Sequence, residues 1–186
     1  DMGGLTNYWY LYNEKEASYD FISRLTGARL TSSFTRIGGM YRDFYDGWER
    51  DMEAQLKDIE KGISDSLALI LQNRIVHERT QNCCVIPGDV ALDYGLTGPC
   101  LRASGVPFDL RKDAPYYNYE AFDFNVPIGT NGDIYDRIMV RFEEMFESIK
   151  IIRQAMKMIP GGPVNVDNKK VVLPPKNEVY GNIEAL

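Results

Sequence analysis

Between residues 132 and 158, apolar side chains fall at Ile138, Phe142, Met145, Ile149, Ile152 and Met156. The four-three-four-three-four spacing keeps all six on one face of an α-helix, whereas a strand would send neighbours to alternate faces. Pro160-Gly161-Gly162-Pro163 ends that helix, since proline cannot donate to it and glycine does not favour it. Asp133 and Arg137 stand four apart and are expected to pair. A helix with one apolar face needs other helices to cover it, and three further stretches qualify. Residues 5–25 carry Tyr8, Tyr12, Tyr19 and Ile22 on one face, with Gly27 as the stop. Residues 41–62 carry Phe44, Trp48, Met52, Leu56, Ile59 and Ile63, with Gly62 interrupting near the end. Residues 65–79 start from a Ser64 or Asp65 cap and turn Leu67, Ile70, Leu71 and Ile75 inward.

Pro87-Gly88 opens a short helical turn through Leu92, ended by Gly95. Residues 96–118 hold Gly98-Pro99, Gly105, Pro107 and Pro115 and read as irregular. Tyr119 to Val126 alternates apolar and acidic residues and reads as a short strand. Residues 169–175 read as an exposed arm. The expected fold class is therefore mainly α: a helical bundle with a Gly/Pro-rich irregular region and a short β segment. We expect one domain over residues 1–186, with 164–186 as an extended tail. Asp1-Met2 at one end and residues 181–186 at the other read as the edges of a piece of a longer subunit.

Composition narrows the function. At 186 residues the chain can bury a core of its own. A net charge of −6 disfavours general nucleic-acid binding, which needs clustered Lys and Arg. No apolar run reaches the ~18 residues of a membrane span. Cys83, Cys84 and Cys100 lack both the even count of a disulfide framework and a C-x-x-C metal spacing, so they read as small buried residues and no metal site is expected. His77 is the only histidine; it packs or faces solvent, and no Ser-His-Asp set can be assembled around it. There is no phosphate-binding loop.

Three groups of residues carry possible chemistry. Arg29, Arg36 and the Gly38-Gly39 pair suit either a turn with surface arginines or a close contact with another object. Arginine supplies permanent positive charge, which would raise the potential of a nearby redox centre. Arg102, set among small residues, and the alternating Asp109 and Arg111 suggest a buried ion-pair network. Asp1, Tyr8 and Tyr12 share a helical face if the first helix reaches back past Gly3-Gly4. They form either a core-facing aromatic stripe or the lining for a flat, partly apolar ligand.

Read in order, several blocks resemble the D subunit of respiratory NADH:quinone oxidoreductase (complex I), the large subunit of its quinone module. The blocks are Asp1-Met2-Gly3-Gly4-Leu5-Thr6, Gly27-Ala28-Arg29, Arg36-Ile37-Gly38-Gly39, Glu78-Arg79-Thr80 and Gly95-Leu96-Thr97-Gly98-Pro99. Leu101-Arg102-Ala103-Ser104-Gly105, Asp109-Leu110-Arg111-Lys112, Phe122-Asp123-Phe124-Asn125-Val126-Pro127, Gly132-Asp133 with Arg137, Val140-Arg141, Glu144-Met145 and Ile151-Ile152-Arg153-Gln154-Ala155 follow. The resemblance implies a fold like nickel–iron hydrogenase large subunits without their metal. It implies quinone as substrate, a four-iron cluster held by the neighbouring B subunit, and NADH at the level of the whole complex. Other implied partners are the C and I subunits and the membrane-embedded H subunit. The implied location is the cytoplasmic face of the bacterial inner membrane, or the matrix side in an organelle, without a transmembrane segment of its own.

By position, Asp1, Tyr8 and Tyr12 would line the quinone cavity, and Arg29, Thr31, Arg36, Gly38 and Gly39 would face the cluster. The resemblance also exposes departures. Asn7 stands where proline is usual. Thr31 stands where the family often has a histidine whose protonation follows cluster reduction, which implies a shallower pH dependence of the cluster potential. Asn82-Cys83-Cys84 replaces a glycine-containing stretch. The alternatives are a large subunit of a membrane-bound nickel–iron hydrogenase and a non-catalytic scaffold whose arginines only dock neighbours.

Overall fold

A computed structural model describes residues 4–167 and 174–178. Three long helices form the bundle: α1 (Leu5–Thr26), α2 (Trp48–Leu71) and α7 (Ile134–Met158). Between α2 and α7 lie the short α3 (Arg74–Thr80), α4 (Gly88–Asp93), α5 (Gly98–Ala103) and α6 (Leu110–Asp113). α2 packs against both α1 and α7, and α5 packs on α7. The core runs through Leu56, Ile63, Ile70, Val76, Phe142 and Ile149, flanked by half-buried Met52, Ile59, Ile138 and Met145. The expected α7 stripe is thus the core face of that helix, with Ile152 at its exposed margin.

α1 stops where expected. Gly27 is left-handed at φ 83° and returns its N–H to Ser23 O, a conformation that glycine adopts without a Cβ penalty. Arg42 adds a cap the sequence did not announce, donating from Nε to Leu25 O at 3.0 Å and from Nη2 to Arg24 O at 2.8 Å. The α1 aromatic stripe is not core-facing: Tyr8 and Tyr12 are exposed, and the buried positions are Asn7 and Phe21.

The second and third expected helices merge differently. α2 begins at Trp48, after a left-handed Gly47, and runs unbroken past Gly62. Ser64 Oγ donates to Glu60 O within the helix, so neither it nor Asp65 starts a new one. A Cβ on Gly62 would meet the Glu14 side chain at 2.6 Å; this glycine makes room for α1 rather than ending α2. The break falls at Asn73, whose side chain accepts from the Ile75 and Val76 amides. That register buries Val76 and leaves Leu71 and Ile75 exposed.

The strand expected over Tyr119 to Val126 is a 3-10 turn (Tyr119–Ala121) followed by chain without regular secondary structure, extended at Phe122. Side chains of α7 take the place of a partner strand. Gln154 accepts from Asp123 N at 2.8 Å and donates to Asp123 O at 2.7 Å, and Glu147 accepts from Asn125 N at 2.9 Å. The β structure lies elsewhere, as a hairpin of β1 (Thr35–Arg36) and β2 (Gly39–Met40), antiparallel, with Thr35 opposite Met40. Residues 164–166 of the expected tail pair along it. Met40 N donates to Val164 O, Val166 N donates to Gly38 O, and Gly39 bridges Asn165. The arm over residues 169–175 lies largely outside the described residues.

Candidate functional site

The ion-pair network is the best-formed polar feature. Arg102 sits on α5 at 6 % exposure and Asp109 precedes α6 at 5 %. Charges so deeply buried need several partners each. Arg102 has them: Nε donates to Glu144 Oε1 at 2.9 Å, Nη2 pairs with the same carboxylate, and Nη1 donates to Phe108 O at 3.0 Å. Asp109 lies 3.5 Å from Arg102 Nη1 and accepts a fork from Arg111, Nε at 2.9 Å and Nη2 at 2.6 Å. It also caps α6 through Arg111 N at 3.0 Å. The Arg111 hydrogen bond holds the Asp109 carboxyl below its ordinary value, against the upward push of burial. Arg111 and Lys112 lie over the Phe124 ring, at 4.8 and 4.1 Å. A polar cleft of about 370 Å³ opens over this group, bordered by Tyr116 and Glu144.

The expected Arg102, Asp109 and Arg111 are therefore brought together. Glu144 was missed. Its signal was its place four residues after the buried Val140, on the α7 flank that faces α5.

The expected Asp133–Arg137 pair does not form among the described residues. Asp133, 2 % exposed, is the α7 N-cap, accepting from Asp136 N and Asn82 N at 2.8 Å each. A capping carboxylate satisfies helix amides that have no intrahelical partner. Arg137 instead donates to Gly132 O and Cys84 O at 2.7 and 3.0 Å. Asp136 accepts from the amides of Thr130 and Asn131. The loop after α3 and the loop over residues 130–132 thus converge on the start of α7.

The arginine–glycine block divides. Gly38 and Gly39 have φ 93° and 144°, and a Cβ on Gly39 would lie 2.2 Å from Val164 O. The object they approach is this chain's own 164–166 segment. Arg29 pairs with Glu16 and, at 3.3 Å, with Asp20, so α1 carboxylates offset its charge. Arg36 is exposed, lies 4.2 Å over the Tyr41 ring and has no ion-pair partner among the described residues. Thr31 is exposed nearby in the chain.

Tyr8 and Tyr12 stack at 6.0 Å between centroids, with Trp9 edge-on to both. Asp1 lies outside the described residues. A groove of about 770 Å³ between α1 and α2 is lined by Trp9, Tyr10, Asn13 and Leu69, not by Tyr8 or Tyr12. His77 is half-buried, tilted against Tyr135 at 5.1 Å, with ring nitrogens bonded to Leu71 O and Gln81. Among the described residues no group of three or more His, Cys, Asp and Glu could hold a metal ion. No described helix is long and apolar enough to cross a membrane.

A mainly helical module is thus defined, tied by one buried ion-pair network and presenting aromatic and arginine surfaces outward. The chain belongs to the family described as respiratory-chain NADH dehydrogenase, 49 kDa subunit, whose model matches residues 1–186. It is 50 % identical over its whole length to the C/D subunit of NADH-quinone oxidoreductase from Bdellovibrio bacteriovorus, and covers 33 % of that protein. The D subunits of NADH-quinone oxidoreductase from Myxococcus xanthus and Methylacidiphilum infernorum are 46 % and 45 % identical to it, with 45 % and 44 % of their lengths covered. The chain thus spans a third to under a half of these relatives.

Proposed function

We propose that this chain is the central part of a subunit that helps form the quinone cavity of NADH:quinone oxidoreductase and faces the terminal iron–sulfur cluster of a neighbouring subunit. The observation that carries the reading is the match to one family across all 186 residues. The same match favours it over a hydrogenase large subunit. Asp1, Tyr8 and Tyr12 are the proposed quinone-lining residues. The exposed stacked rings of Tyr8 and Tyr12 suit a flat, partly apolar ligand. Arg29, Thr31, Arg36, Gly38 and Gly39 form the proposed cluster-facing block, in which Gly38 and Gly39 fix the hairpin and Arg36 presents charge. The cluster would supply the electrons and the quinone would take them, while this chain contributes placement and electrostatics.

The Arg36 guanidinium cannot lose its proton, so its charge favours the reduced form of a nearby cluster at every working pH. Thr31 does not titrate in that range, so the cluster potential has a shallow dependence on pH. The proposed partners are the B, C, I and H subunits, with the assembly at the cytoplasmic face of the bacterial inner membrane or its organellar equivalent.

A scaffold reading, in which the arginines only dock neighbours, draws support from the pairing of Arg29 with α1. Arg36→Met in the assembled complex separates the two. The redox reading expects a lower cluster potential and slower quinone reduction at normal assembly. Both unchanged leaves the scaffold role alone.

A further inference from the structure

Cys83 and Cys84 form a second chemical feature that the quinone reading does not use. In extended chain, adjacent side chains point to opposite faces. Here the backbone is left-handed at Asn82 (φ 55°), just before the pair, and at Cys84 itself (φ 50°), and the two sulfurs lie on the same side, 3.9 Å apart and hydrogen-bonded. Left-handed non-glycine residues cost about 1–3 kcal/mol each and persist only where surroundings hold them. The surroundings do so here. Asn82 N donates to Asp133 Oδ2, Ile134 N to Cys83 O, Arg137 Nη2 to Cys84 O, and Ile86 N to Gly132 O. The pair is pinned to the start of α7 while its sulfurs stay reachable: Cys84 is exposed and Cys83 half-buried. Cys100 is a free cysteine whose Sγ instead accepts from Arg141 Nη2 at 3.5 Å.

The spacing sets which chemistry suits the pair. A disulfide needs sulfurs about 2.0 Å apart and Cα atoms usually about 4.4–6.8 Å apart, but adjacent Cα atoms across a trans peptide are fixed near 3.8 Å. Direct oxidation therefore strains this pinned loop. Insertion of one thiophilic atom between the sulfurs does not require them to close to bonding distance. We propose that Cys83 and Cys84 are a vicinal dithiol site for trivalent arsenicals, soft centres that prefer sulfur donors. With an arsine oxide, two As–S bonds form and the arsenic–oxygen bond breaks. The oxygen leaves as water with both thiol protons, and arsenic stays trivalent. The second As–S bond is intramolecular, so the pair outbinds a single thiol by about a hundredfold or more.

The test uses the assembled complex and phenylarsine oxide as probe. After one equivalent per chain, native alkylation with iodoacetamide is followed on the tryptic peptide of residues 80–102, which contains all three cysteines. Cys83 and Cys84 are protected together and Cys100 is not. Dimercaptopropanol reverses the protection, whereas excess mercaptoethanol does not. Cys83→Ser leaves Cys84 at least about a hundredfold less protected, as does the reciprocal change. The proposal is overturned if Cys83 and Cys84 remain alkylatable, if mercaptoethanol restores them as readily as the dithiol, or if either single variant keeps full protection. The comparison of the two thiols needs no variant and so does not depend on how a substituted loop folds.

Discussion

Replacing Glu144 by leucine tests whether the buried ion pair holds α5 and α6 onto α7. The substitution removes both bonds from Arg102 Nε and Nη2, leaving a guanidinium whose side chain is 7 % exposed. Breaking a buried pair by deleting one partner costs about 3–5 kcal/mol. Arg102 retains Phe108 O at 3.0 Å and Asp109 at 3.5 Å, which places the cost near the lower end, about 3 kcal/mol. At about 1.4 kcal/mol per factor of ten, local opening becomes roughly a hundredfold more frequent. Native-state hydrogen exchange on the full subunit in its assembled complex reads this at the amides of Gly105 and Gly129, both bonded to Arg102 O. The double variant Arg102→Met with Glu144→Leu should recover most of the loss, because no unpaired charge remains and the two changes are coupled. Unchanged protection in Glu144→Leu, or a double variant worse than the single one, would refute the reasoning.

Gly39→Ala should detach the 164–166 segment, since φ 144° and a 2.2 Å approach to Val164 O leave no room for a methyl group; faster exchange at Met40 and Val166 amides reads it. Asn73→Ala should fray α3 by about 1 kcal/mol, as loss of an N-cap does, while Ser64→Ala should change α2 little; exchange at the Ile75 and Val76 amides decides. Asp109 has a depressed carboxyl pKa, so the folded state binds its proton less readily than the unfolded state. Its stabilisation is complete above the ordinary value of 3.8 and is lost as pH falls through the lower folded value. Acid titration of α5–α6 exchange should show that loss, and Asp109→Asn should flatten it.

The long elements were legible because periodicity reports burial directly. The α7 stripe and the Gly27 stop needed no tertiary information. Boundaries failed where a local signal had a non-local cause. Gly62 looked like an interruption, but it accommodates Glu14 from another helix. Asp133 looked like half of an i,i+4 pair, but its carboxylate is worth more on the Asn82 and Asp136 amides than on an arginine that can reach two carbonyls. The Phe122-Asp123-Phe124 alternation pointed to a strand that does not form, because Gln154 and Glu147 of α7 bond its backbone where a partner strand would. In the network, Arg102, Asp109 and Arg111 were visible as a cluster in sequence. Glu144 was not, because it arrives from a helix 42 residues from Arg102.

The arginine–glycine block shows how structure redistributes a motif's meaning. Two arginines and two glycines close in sequence suggested one surface. The glycines are accounted for by the chain's own 164–166 segment, and Arg29 by two α1 carboxylates. Exposed ion pairs contribute at most about 1 kcal/mol, but they offset charge locally, so a neighbour meets little net field from Arg29. Arg36 keeps its charge outward, beside Ile37, which is 80 % exposed. If this hairpin faces a redox centre, the two arginines must then behave differently. Arg36→Met should lower the centre's potential, whereas Arg29→Met should leave it nearly unchanged. Redox titration of the two variants in the assembled complex makes the comparison, and equal shifts would show that the Arg29 charge is not offset by Glu16 and Asp20.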